Sequence, residues 1–326
     1  MILAGDIGGT NIRLAVFDKD LKRIGKVHQF KTGNGSDLET RLHDVLQTRK
    51  NGSVVRACLA VAGPVIDGVC APVNIGRTFR ATDIRDALGL ESVVLINDLV
   101  ANAAGIGLLK KNDLVTIQRG EKHHGNCAIL SPGTGLGESA LIWDGQQHRP
   151  IASEGGHARF APTTELEQEL LTFMMRRHKT VTFEHVCSGQ GIEPLFRFFV
   201  ERGSGVSNRF LSRLDQAPVP ERAAIISKAG LHKTEPAAVQ AMQLFVRILG
   251  IEASNLTLKV FACGGVYLGG GIPPRILPLI RSRTFKQAFL SNTIFTKMLA
   301  RVPVKVILNT DTALEGAAWY GLRFDN

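Results

Sequence analysis

Ile2-Leu3-Ala4-Gly5-Asp6-Ile7-Gly8-Gly9-Thr10-Asn11 opens the chain with an apolar run that stops at a carboxylate and two glycines. Residues 12–17 then alternate, with Ile12, Leu14 and Val16 on one face, the period of a half-buried strand. Asp18-Lys19-Asp20 supplies a turn, and residues 22–30 read as a third strand. Two or three antiparallel strands in succession are therefore expected to begin the protein. In the first turn Gly8 and Gly9 let backbone N–H groups face outward, and such a turn can cradle phosphate oxygens. Asp6 beside it can hold a water of a Mg²⁺ ion, which keeps most of its waters and needs only one carboxylate. The plain alternative is a hairpin with an incidental aspartate.

The same pattern returns further on. Residues 126–131 read as a strand, Gly133-Thr134-Gly135-Leu136-Gly137 as a glycine turn, and the chain continues as a strand to Trp143. The repeat suggests an internal duplication of the core, although identity between the halves is weak. The second cluster is neither G-x-G-x-x-G nor a P-loop, and it feeds a strand rather than a helix, which argues against a dinucleotide-binding turn. Either turn alone is a plain hairpin, while two of them can grip the two ends of a polyphosphate. Between and beyond them the periodicity predicts helices over 38–49, 98–109, 165–177, 236–256 and 313–322. Strands are predicted over 54–62, 92–96, 258–262, 266–268 and 304–308. Thr164 with Glu167 three residues on marks the start of the helix at 165.

At 326 residues, 44% hydrophobic and 21% charged, the chain is ordinary for a globular protein of two domains or one large one. A disordered chain, a collagen and a coiled coil are excluded. The net charge of +10 would attract anions such as nucleotides, phosphorylated metabolites or nucleic acid. The basic residues are scattered, with no tail of five or more like charges, so no nucleic-acid arm is expected. Five cysteines without a C-x-x-C indicate reduced thiols and a cytoplasmic address rather than a zinc knuckle. The first ten residues do not form a signal peptide, and no run of eighteen apolar residues is present to span a membrane.

Three further motifs carry chemistry. Asp98 in Ile96-Asn97-Asp98 follows a buried strand at a helix start, where open sheets display catalytic groups; its bland reading is an N-cap aspartate. Glu154-Gly155-Gly156-His157 has the spacing of a di-iron E-x-x-H, but the glycines spoil that helix. Glu154 and His157 on a glycine turn can instead offer an acceptor and a switchable donor to sugar hydroxyls, with Glu184 as a second acceptor. In Gly264-Gly265-Val266-Tyr267-Leu268-Gly269-Gly270-Gly271, glycines flank a short strand, which suits either a flat ligand such as a purine or tight packing of strand on helix.

These elements come in one order: D-x-G-G-T-N from Asp6, I-N-D at 96–98, G-T-G-L-G at 133–137, E-G-G-H at 154–157 and G-G-V-Y-x-x-G-G at 264–271. In that order they resemble bacterial glucokinases of the hexokinase/actin-like ATPase superfamily, from Gly5 to about Gly316. The resemblance implies an α/β fold, the two-domain actin-like ATPase (ribonuclease H-like) fold with an interdomain cleft for ATP and sugar. A small domain at 1–108, completed by 305–326, and a large one at 109–304 are expected. The implied activity is ATP-dependent phosphorylation of glucose at the C6 hydroxyl, with Mg²⁺. Carried over by position, Asp98 resembles the general base. Asn74, Asn97, Glu154, His157 and Glu184 resemble sugar ligands. Asp6, Gly8, Gly9, Thr10 and Asn11 match the first phosphate loop, Gly133, Thr134 and Gly135 the second, and Gly264 and Gly265 the adenosine region, with Asp6 toward the metal. Where the family often has a Trp, position 77 is Arg, which bears on sugar preference. Phe160-Ala161-Pro162 stands where the related zinc-bearing group is rich in cysteine, favouring the metal-free branch. A kinase for another hexose, such as mannose or N-acetylglucosamine, is the main rival, and a sugar-responsive regulator a weaker one. The implied partners are small molecules, not nucleic acid or membrane; the sequence does not give the oligomeric state, and a homodimer is the assembly considered.

Overall fold

The opening hairpin forms as the alternation dictates. In the computed structural model, which describes residues 1–33, 38–47, 54–72 and 76–324, β1 (Ile2–Ile7) pairs antiparallel with β2 (Asn11–Phe17), and β2 with β3 (Arg23–Lys31). Helix α1 (Leu38–Gln47) buries Leu38, Leu42 and Val45, one stripe at helical spacing. Strand β4 (Arg56–Val61) is buried from Ala57 to Val61, as a central parallel strand covered on both faces must be, and it lies parallel to β1. A small meander of β5 (Val65–Ile66), β6 (Val69–Cys70) and β7 (Phe79–Arg80) leads to α2 (Ala81–Leu88). Strand β8 (Ser92–Asn97) then pairs parallel with β4 and runs directly into α3 (Asp98–Gly105).

The chain continues with β9 (Leu114–Gln118), β10 (Cys127–Pro132), β11 (Leu136–Trp143) and β12 (His148–Ser153). A helical stretch follows: α4 (Glu165–Met175), α5 (Phe183–Val186), α6 (Gly189–Glu201), α7 (Asn208–Gln216), α8 (Val219–His232) and α9 (Pro236–Val260). The last elements are β13 (Gly265–Leu268), α10 (Leu277–Ile280), α11 (Arg283–Phe289), α12 (Thr296–Arg301), β14 (Val304–Ile307) and α13 (Thr312–Arg323). The two large sheets have matching strand orders, β3-β2-β1-β4-β8 and β12-β11-β10-β13-β14, the second with β9 added antiparallel at its edge. The last three strands of each matched set are parallel. The duplication that residue identity left weak is thus plain in the topology.

By contacts the chain divides into two units, Met1–Asp113 with Ser139–Ser153 and Asn309–Asn326, and Leu114–Glu138 with Glu154–Leu308. In the first unit Leu3, Ile7, Leu14 and Leu59 face Leu38, Leu42 and Ile84 of α1 and α2. On the opposite face of the sheet Ile2, Ala4 and Cys58 meet Val100, Ala313 and Leu314 of α3 and α13. The second unit is organised on α9, whose buried residues run from Ala237 to Thr257 and which packs against α6, α8 and α11. The strand expected at 258–262 is instead the end of α9, closed by Phe261 in the left-handed region at φ 50°. Apolar residues on all sides of a buried helix erase the 3.6-residue stripe, so its last turn reads like a buried strand. The capping box forms as expected, with the Glu167 backbone N–H donating to Thr164 and the Thr164 N–H donating to the Glu167 carboxylate. All five cysteines are free, and no helix among the described residues is long and apolar enough to cross a membrane.

Candidate active site

In the first unit, the pairs Ile7↔Val61 and Val61↔Asn97 align the ends of β1, β4 and β8 on one edge of the sheet. The first glycine turn and Asp98 therefore leave the same carboxyl edge, where open α/β sheets bind ligands, two strand spacings or about 10 Å apart. The turn is tight: Gly8 N–H donates to the Asn11 carbonyl at 3.0 Å. The start of the next loop clasps it, Thr32 N–H donating to the Thr10 carbonyl at 3.1 Å and Thr32 Oγ1 to the Gly8 carbonyl at 2.6 Å. A Cβ on Gly9 would meet nothing within 4 Å, and its φ is not positive, so the fold does not require a glycine there. Asp6 is half-buried, and desolvation pushes its carboxyl up to about 6 against the pull of Arg13, its cross-strand neighbour. Arg13 is held in turn by an ion pair to Asp311.

The junction of β8 and α3 divides its labour between two side chains. Asn97, not Asp98, caps the helix: its Oδ1 accepts from Leu99 N–H at 2.8 Å and Val100 N–H at 3.3 Å. Its amide nitrogen donates to the Gly63 carbonyl at 3.1 Å, tying the junction to the end of β4. Asp98 occupies the first helical position, half-buried, with Oδ1 accepting from Leu99 N–H at 2.9 Å. The bland reading of Asp98 as the cap is thereby corrected. Asn74 lies outside the described residues. Arg77 makes a bidentate ion pair with Glu39 of α1, one arm at 2.8 Å, and lies over the Phe79 ring.

In the second unit, Gly133-Thr134-Gly135 links β10 to β11 in a turn closed by Gly133 N–H on the Gly135 carbonyl at 2.8 Å. Gly189 N–H donates to the Gly133 carbonyl at 2.8 Å, anchoring the turn from the start of α6. Glu184 of α5 reaches the turn as well, its Oε2 accepting from Leu136 N–H at 2.9 Å. A Cβ on Gly135 would lie 2.4 Å from that oxygen, so it would fit only with the Glu184 carboxylate moved off Leu136 N–H; Gly133 meets nothing within 4 Å and has no positive φ. The Glu154–His157 turn packs beside it because Gly156, where a Cβ would lie 2.0 Å from the Leu136 carbonyl, lets the two backbones touch. Glu154, His157 and Glu184 are thereby brought within electrostatic reach of one another. Desolvation pushes the Glu154 carboxyl above its usual range, His157 pulls it down and Glu184 pushes it further up.

Gly264 and Gly265 are not brought to this turn. They start β13, which runs parallel to β10 with Cys127 opposite Gly265, so they lie at the far end of the strands from Gly133. A Cβ on Gly264 would lie 2.4 Å from the Gly125 carbonyl, so the packing explanation holds at this position. The glycines that reach the second turn are Gly269 and Gly270: Gly269 N–H donates to the Leu130 carbonyl at 2.9 Å, and a Cβ on Gly270 would lie 2.6 Å from the Pro132 carbonyl. Chain direction was the signal, since the second glycine cluster follows β13 and the first precedes it. No cluster of three or more His, Cys, Asp or Glu able to hold a metal occurs among the described residues, and the single carboxylate of Asp6 suits an ion held through its waters.

The fold is the two-domain actin-like ATPase fold of sugar kinases: a ROK family glucokinase from Streptomyces griseus, solved with glucose and AMPPNP, superposes with a TM-score of 0.67 at 20% identity, over 97% of each chain. A glucokinase from an Antarctic psychrotroph superposes with a TM-score of 0.82 at 30% identity, over 98% of each chain. The glucokinase family model matches residues 3–323, and a glucokinase of Nostoc sp. is 36% identical over 98% of both chains. The chain belongs to the glucokinase family.

Proposed function

We propose that this enzyme transfers the γ-phosphoryl group of ATP to the C6 hydroxyl of glucose, with Asp98 as the general base, giving ADP and glucose 6-phosphate. The observation that carries the reading is the junction at 97–98: with Asn97 capping the helix, the Asp98 carboxylate stands at the carboxyl edge of the sheet that also bears the Asp6 turn. Asp98 takes the hydroxyl proton as the sugar oxygen attacks phosphorus. Because phosphoryl transfer proceeds through a loose transition state, positioning and charge stabilisation dominate. Backbone N–H groups at Gly9 and Thr10 and at Thr134 and Gly135 meet phosphate oxygens, while Gly8 and Gly133 spend theirs closing the two turns; Thr10 and Thr134 add hydroxyls. The nucleotide base is proposed to lie toward Gly269–Gly271, because these residues abut the second turn. Mg²⁺, which screens the charge between phosphates, would be held by Asp6, directly or through water. Glu154, His157 and Glu184 accept and donate to sugar hydroxyls, while Asn97 positions Asp98. The same reading has the enzyme in the cytoplasm, on small-molecule substrates alone, and puts a homodimer to the test of light scattering. An ADP-release assay over a panel of hexoses and phosphoryl donors tests the function; preference for another sugar would overturn the glucose assignment. Asp98→Asn is expected to lower kcat at least about 100-fold while glucose still binds.

A further inference from the structure

Glu138, the third residue of β11, is 1% exposed, and among the described residues no donor reaches either of its carboxyl oxygens. What it faces is a second carboxyl, that of Glu252 on α9, which is 0% exposed. Two buried carboxylates side by side repel, and each loses its hydration; a single proton shared between them turns that clash into a hydrogen bond. The surroundings decide which of the two carries it. Asn255 donates to Glu252 Oε2 at 2.8 Å and Lys259 Nζ lies 3.2 Å from Glu252 Oε1, so Glu252 is the side chain equipped to hold the charge. The other titratable group against the pair is Cys187, between α5 and α6, whose thiol is pushed well above its usual value by burial and by both glutamates, and is therefore neutral.

We propose that Glu138 is a positioning residue for nucleotide binding: it retains a proton, donates it to Glu252, and so latches the start of β11 and the Gly133–Gly135 turn to α9. Glu138 lies two residues after Leu136, on the same face of the strand, and Leu136 N–H is the group that Glu184 fixes at the turn. The Glu184 contact and the latch thus fall within the first three residues of the strand that leaves the turn. The functional part rests on the reading of that turn as a phosphate site. Desolvation first, then the Glu252 charge, pushes the Glu138 carboxyl up to about 8, with Lys259 opposing. A carboxyl raised by the fold stabilises it fully below the ordinary value of 4.5, and that contribution is lost as the pH rises through about 8. The proton then leaves to solvent, and the strand start is held against two like charges.

The test uses the full chain and Glu138→Gln, in which an amide N–H replaces the acid proton toward Glu252. Infrared spectra from pH 6.5 to 9.5 should show a protonated-carboxyl band in the wild type that titrates at about 8 and is absent from the variant. About nine-tenths of Glu138 is ionised at pH 9, so the affinity for AMPPNP with Mg²⁺ should be about tenfold weaker there than at pH 7 in the wild type, and change less than about twofold in Glu138→Gln. Absence of the band, or an equal loss of affinity in both proteins, overturns the proposal. If neither binds the analogue at any pH, the nucleotide reading has failed and with it the positioning role; melting temperatures that fall above pH 8 in the wild type alone would then still establish the latch. Should Glu138→Gln not fold, Glu252→Gln replaces it: losing the neighbouring charge should move the band's midpoint to lower pH, and an unmoved midpoint overturns the pairing.

Discussion

Gly9→Ala and Gly133→Ala separate what the fold needs from what a ligand needs. A Cβ at either position meets nothing of the protein within 4 Å, and neither residue has a positive φ, so alanine fits without strain. Replacing glycine at such a site removes freedom from the unfolded chain and stabilises by about 0.4–1 kcal/mol. The melting temperature should hold or rise by about 1–4 °C. The new methyl does, however, fill the space through which a phosphate oxygen would approach the turn N–H groups. Losing one charge-assisted hydrogen bond costs about 1.5–3 kcal/mol, which weakens nucleotide binding roughly 10–100-fold. Calorimetry with AMPPNP reads the affinity and differential scanning fluorimetry the stability. Gly135→Ala is the internal contrast, because its Cβ would stand 2.4 Å from Glu184 Oε2 and force that carboxylate off Leu136 N–H. It should lose about 1–3 kcal/mol of stability. If Gly9→Ala and Gly133→Ala melt well below wild type, or bind the analogue within twofold of it, the glycines serve the fold and not a phosphate.

Two further outcomes follow from buried carboxyls. Asp6 stands at about 6 rather than 3.8, so its contribution to stability is complete below the ordinary value and is lost as the pH rises through about 6. On the proposed function, the ionised form is the one that would hold the metal ion. The affinity for Mg²⁺–AMPPNP should therefore weaken by about tenfold per pH unit below 6, and Asp6→Asn should flatten that profile; an unchanged slope in the variant refutes the assignment. Glu167, fully buried, accepts from Thr163 N–H at 2.7 Å and Thr163 Oγ1 at 2.8 Å and pairs with Arg247 at 2.7 Å. Burial alone would push its carboxyl up, but these partners outweigh it and hold it low. Glu167→Ala should cost about 2–3 kcal/mol in urea unfolding, since it strands those donors; a loss below about 1 kcal/mol would show that water replaces them.

Local chemistry was enough to write the strand–turn–strand openings, the capping box at Thr164 and Glu167, and the placement of Asp98 at a strand end. Each depends on spacings of a few residues: period two along β1 and β2, three from N-cap to N3, one step from β8 into α3. The order of the glycine motifs also pointed to the right family, because each turn is fixed by a short stretch of backbone. Chain direction tells which end of β13 a glycine serves only once that strand is known to run parallel to β10, a pairing the residues do not disclose. Gly264-Gly265 and Gly269-Gly270 read alike as dipeptides, yet one packs on Gly125 and the other on Pro132, because strand pairing with β10 decides their neighbours. Nor did the sequence show that Asn97 would take the cap from Asp98, that Glu184 would close on Leu136, 48 residues before it in the chain, or that Glu138 would meet Glu252. Those contacts join residues far apart in the chain, and only the burial of both partners against a common core brings them together and makes their charges matter to each other.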